Sequence, residues 1–183
     1  MTSINGNRLA QTLFHHVPFA EAATALWSGQ PISAEGIIGS SCALAVAALV
    51  PYGNGSIIVV TPNAYVAEQI ASDLTLFLEP EYRIEVLLFP PMTDRDSESE
   101  TALAIADEPF GERINVLKKL VYHTDQRFVL AISMPALLQP VPPPTLLQER
   151  TQTLAVNNQV DLDALRRFLT EGGYHSTTAV DLP

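Results

Sequence analysis

Apolar positions recur along the chain with a period that keeps changing, and each change marks an element boundary. Leu9, Leu13 and Phe14 fall on one face at helical spacing. After Pro18 a second helical face carries Phe19, Ala22, Ala23, Leu26 and Trp27, and Ser28-Gly29 ends it. The short apolar run before Gly39 predicts a buried strand, and residues 40–50 predict a helix of small side chains suited to close packing on a sheet. Residues 56–61 are an almost unbroken β-branched run, the pattern of a strand covered on both faces. A helix over 62–78 follows, with Val66, Ala67, Ile70, Ala71, Leu74 and Phe77 as its apolar stripe.

Residues 84–89 read as the next strand. A polar loop then leads to a helix whose inward face is expected to carry Phe110, Ile114, Leu117 and Val121, and 128–132 reads as a further strand. Strands alternating with helices predict an α/β fold, a mainly parallel doubly wound sheet of about four or more strands. Gln139-Pro140-Val141-Pro142-Pro143-Pro144 closes this unit, because successive prolines supply no sheet donors and stop helices. Beyond it, 151–156 is a possible strand. Asp161 is placed to cap a helix with Leu162, Leu165, Phe168 and Leu169 inward and Arg166 and Arg167 more exposed, ending at Gly172-Gly173. The expected organisation is a helical segment over 1–30, an α/β domain over 31–150 and the opening of a second small α+β unit over 151–183.

Composition narrows the function classes. Hydrophobic residues make up 47% of the 183 and charged residues 16%, which is globular rather than disordered. Net charge is −10 with no basic run interleaved with aromatics, so direct nucleic-acid binding is disfavoured. No apolar run approaches the ~20 residues of a membrane span, and the start lacks a basic flank and apolar block. A cytoplasmic protein is expected. The single cysteine, Cys42, excludes an internal disulfide and any cysteine-rich zinc site. His15 and His16 are neighbours that point apart on a helix, which is unfavourable for a shared metal.

The candidate chemistry lies at Gly36-Ile37-Ile38-Gly39-Ser40-Ser41-Cys42-Ala43. It has the outline of a phosphate-binding loop between a strand and a helix. A working G-x-x-x-x-G-K-[ST] loop needs a lysine for the β/γ-phosphates and a hydroxyl for magnesium. Cys42 and Ala43 occupy those positions and Ser41 replaces the second glycine, so the loop is expected to be vestigial and to hold no cofactor.

Further stretches follow the loop at 36–49 in order: Ile58-Val59-Val60-Thr61-Pro62-Asn63-Ala64, Leu88-Phe89-Pro90, Gly111-Glu112-Arg113-Ile114-Asn115-Val116-Leu117, Ser133-Met134-Pro135-Ala136-Leu137-Leu138-Gln139, and Val160-Asp161-Leu162-Asp163-Ala164-Leu165 leading to Gly173-Tyr174. Taken together and in this order, they resemble the N-terminal region of the bacterial transcription-repair coupling factors. The resemblance implies a RecA-like sheet related to domain 1A of the repair helicase UvrB, with its ATPase function lost. It implies that ATP and magnesium are used by a motor elsewhere in the parent, and that RNA polymerase and DNA are met through other domains. Residues 151–183 resemble only the beginning of the domain that recruits UvrA, so no UvrA-contact residue is carried over. One departure stands out: where the family has a segment bearing tryptophan and tyrosine, this chain has Pro90-Pro91-Met92-Thr93-Asp94-Arg95-Asp96-Ser97-Glu98-Ser99-Glu100. A loop of this kind offers no stacking partners for bases and repels phosphate.

Two other classes are compatible with the residues alone. One is a free-standing or partner-assisted NTPase, against which stands the missing acidic strand end for magnesium: the strand at 128–132 runs into Ser133. The other is a small ligand- or metal-binding protein using the acidic cluster from Asp94 to Glu100, which lacks the glycine-punctuated spacing of a calcium loop.

Overall fold

A computed structural model describes residues 6–78, 80–92, 100–122 and 125–174. These divide into two compact units, Met1–Pro140 and Val141–Pro183, with the break inside the proline-rich segment.

The first unit opens with α1 (Gly6–Phe14) and α2 (Val17–Trp27), the latter with Pro18 in its first turn, where a missing N–H costs nothing. Helix α3 (Ser40–Leu49) runs into a single 3-10 turn, Val50–Tyr52. Then come β1 (Ile57–Thr61), α4 (Ala64–Phe77), a second 3-10 turn at Pro80–Tyr82, β2 (Glu85–Phe89), α5 (Glu100–Tyr122), β3 (Phe128–Ser133) and the short α6 (Met134–Leu137). Side-chain caps fix two of the strand-to-helix turns. Asn63 accepts the Val66 N–H at 3.0 Å to start α4, and Ser133 accepts the Ala136 N–H at 3.3 Å to start α6.

The three strands form an all-parallel sheet in the order β1-β3-β2. Ile57 pairs with Val129 and Thr61 with Ser133; on the other side Glu85 pairs with Phe128 and Phe89 with Ile132. The two crossovers therefore place the last strand in the middle. Side chains alternate across this sheet, so each face gathers its own core. On one face Val129, Ile57, Val59 and Val86 pack with Ala10 of α1, Ala43 and Ala47 of α3, and Ile70 and Leu74 of α4. On the other, Leu130, Ile132, Leu87 and Phe89 pack with Val116, Leu117 and Leu120 of α5 and Ala136 of α6. Alanines at 43, 47 and 48, all within 2% of complete burial, let the α3 backbone approach closely, as its small-residue sequence requires.

Arg127 braces the entry to β3. Its Nη2 donates to the carbonyls of Val50 at 2.8 Å and Gly53 at 2.6 Å, satisfying acceptors left open where α3 ends. Lys119 pairs with Glu85 across α5 and β2. Both partners are substantially exposed, so the pair contributes at most about 1 kcal/mol.

In the first unit four expectations are corrected. Residues 31–39 form no strand, and Ile38 is 80% exposed, so the described sheet has three strands rather than four. β1 is covered on one face only: Ile58 and Val60 share the face of Leu130 and Ile132, but α5 and α6 cover that face over β2 and β3 and leave the β1 side open. The inward face of α5 carries Arg113, Val116, Leu117 and Leu120, whereas Phe110 is half exposed. In α1 the buried position is Ala10 instead of Leu9, which points to solvent.

The second unit holds α7 (Pro144–Glu149) and α8 (Leu162–Glu171). Asp161 caps α8 as its sequence predicts, accepting the N–H groups of Asp163 at 2.9 Å and Ala164 at 3.1 Å. Gly173, at φ +86, closes it by letting the Tyr174 N–H reach back to the Leu169 carbonyl. The expected strand at 151–156 is irregular, with Val156 almost fully exposed. No residue of α8 is buried: Leu165 and Phe168 are half-buried, and Leu162 and Leu169, expected inward, are exposed together with Arg166 and Arg167.

Candidate functional site

The loop at Gly36 to Ala43 is shaped by two glycines. Gly36 has φ +77 and Gly39 φ +58, conformations that strain a residue carrying Cβ. Between them the turn closes on itself. The Ser41 hydroxyl accepts the Ile38 N–H at 2.9 Å and donates to the Ile38 carbonyl at 2.7 Å, while the Cys42 N–H donates to the Gly39 carbonyl at 3.0 Å. A phosphate cradle needs backbone N–H groups turned toward an anion, and here the Ile38 N–H is taken by Ser41.

The helix beyond the turn directs its first side chains differently. Ser40 and Ser41 are exposed, Cys42 is half-buried with Sγ 3.7 Å from the Ile37 carbonyl, and Ala43 is fully buried in the core with Ala47, Ile70 and Leu74. The position that would carry a magnesium-binding hydroxyl therefore faces apolar side chains.

In open α/β sheets, ligands are commonly bound outside the carboxyl ends of the strands, where adjacent strands send their chains to opposite faces. Here that point lies between β1 and β3. Thr61 and Ser133 face each other there and both are buried. Their hydroxyls are engaged locally, Thr61 with the Asn63 carbonyl at 2.8 Å and Ser133 in its cap.

Beside them at the ends of β2 and β3 stands a polar cluster that the sequence reading missed. Arg113, 2% exposed, donates from Nη1 to the Pro90 carbonyl at 2.8 Å and to Gln139 Oε1 at 3.1 Å. Gln139 also accepts the Met92 N–H at 2.7 Å and donates to the Met92 carbonyl at 3.0 Å. Among the described residues Arg113 Nη2 is buried without a partner, and burial lowers the guanidinium pKa from its ordinary value. The available signal was periodicity: Arg113 lies three and four residues from Val116 and Leu117, on the helix face that packs inward.

A groove of about 720 Å³ beside α2 is lined by Phe14, His15, Val17, Ala20, Glu21 and Tyr52 among others. His15 is exposed and stacks edge-on against Phe14. Among the described residues no group of three His, Cys, Asp or Glu side chains is placed to hold a metal ion. The acidic cluster from Asp94 to Glu100 lies outside the residues whose side chains are described. No described helix is long and apolar enough to cross a membrane.

No protein-family model matches this chain, and no solved structure does. Among curated proteins it is similar to the transcription-repair-coupling factor of Bacillus subtilis (strain 168), with 27% identity over 148 residues. That alignment takes in 81% of this chain and 12% of the relative, so the chain spans about an eighth of the length of the protein it resembles.

Proposed function

We propose that this chain is a non-catalytic interaction and regulatory module of a transcription-repair coupling factor, corresponding to the UvrB-like N-terminal part of that DNA translocase. The observation that carries the reading is the similarity over 148 residues to a protein of that name. The all-parallel sheet with helices on both faces is compatible with a RecA-like ancestry, and the self-closed turn at Ser41 is compatible with a phosphate loop that has lost its ligand. The module belongs in the cytoplasm, as part of a polypeptide that uses ATP and magnesium elsewhere and meets RNA polymerase and DNA through other domains. Its own partner is UvrA, contacted through the domain that starts near Thr151 and needs residues beyond Pro183.

Parallel pull-downs with purified UvrA test this. The 183-residue chain is expected to fold and bind UvrA poorly, and a chain extended through the complete second domain is expected to bind it clearly. Equal binding by both would move the contact into residues 1–183. Binding by neither would overturn the assignment.

A further inference from the structure

We draw no further inference here: the strongest candidate, the open edge of β1 with the uncovered sheet face at Ile58 and Val60, is an unpartnered apolar surface and nothing in the structure shows what covers it.

Discussion

The guanidinium of Arg113 lies 4.2 Å from the centroid of the Phe89 ring, so a cation on α5 is held against the last residue of β2. The ring face offers it an electrostatic partner, and two oxygens take the Nη1 protons. No carboxylate pairs with it among the described residues. A buried cation in this state costs desolvation that its hydrogen bonds only partly offset.

The two ends of the Arg113–Gln139 contact should therefore respond differently to substitution. Gln139→Ala leaves the Met92 N–H without its acceptor and Arg113 with fewer partners, and is expected to destabilise the fold by about 1–3 kcal/mol. Arg113→Met keeps much of the packing on Phe89 and removes the buried charge, and is expected to be within about 1 kcal/mol of the parent, or stabilising. Urea unfolding of both variants decides the point. A loss at Arg113→Met larger than that at Gln139→Ala would show that the charge itself stabilises the fold.

Trp27 offers a second test of close packing. Its Nε1 donates to the Leu49 carbonyl at 3.2 Å, and a Cβ added at Gly53 would fall inside the indole ring's van der Waals envelope. Gly53→Ala is expected to cost about 1–3 kcal/mol, because the ring or the turn must move. Gly55 is less tight, with the nearest ring atom 3.0 Å from a built Cβ, and Gly55→Ala should cost less. Trp27 is the only tryptophan, so its fluorescence reports both effects directly. Equal unfolding midpoints for the parent and Gly53→Ala would contradict the packing described.

How far these features were legible in the sequence depends on whether their cause was local. The helix over 64–77 was readable because its stripe through Ala67, Ile70 and Leu74 is long and strictly periodic, and the Asp161 cap because it depends on neighbouring residues alone. Coverage of Ile58 and Val60 was not readable. A β-branched run states that a strand suits burial, but which helices reach over it is decided by crossovers tens of residues away. The apolar residues before Gly39 failed for the same reason: strand formation needs a neighbour, and none pairs with them in the described sheet. At the candidate loop the missing lysine and hydroxyl were plain in the sequence, whereas the closure of the turn by Ser41 required coordinates.

Restoring the missing loop residues should not restore a nucleotide site. In the combined variant Ser41→Gly, Cys42→Lys and Ala43→Ser, the new hydroxyl at 43 replaces a methyl group packed among Ala47, Ile70 and Leu74. Burying it without a partner costs about 1–3 kcal/mol. Calorimetry with Mg-ATP is expected to show no saturable binding by either the parent or this variant. Micromolar affinity in the parent would overturn the vestigial reading. Its appearance only in the variant would show that the backbone cradle is intact and that the side chains alone were lost.

The acidic balance predicts weak attraction to nucleic acid. With a net charge of −10, the chain is expected to give no saturable shift of duplex or damaged DNA at physiological salt. A gel-shift series from low to high salt checks this. A saturable, salt-sensitive shift at micromolar protein would place a basic surface on the chain strong enough to outweigh its overall charge.

The open side of β1 yields the last expectation. Ile58 is 60% and Val60 45% exposed, whereas Leu130, their neighbour on the same sheet face, is 5% exposed. A lysine at position 58 or 60 can keep its ammonium group in water, so Ile58→Lys and Val60→Lys should change stability by roughly 0.5 kcal/mol or less. Leu130→Lys must instead bury a charge in the core with Phe89 and Val116, and should prevent stable folding. The first two variants should also reduce self-association at high concentration, since a lysine on an edge strand discourages pairing with another chain. Thermal unfolding and light scattering measure the two properties separately. If Val60→Lys unfolds as readily as Leu130→Lys, the sheet face at β1 is covered in solution.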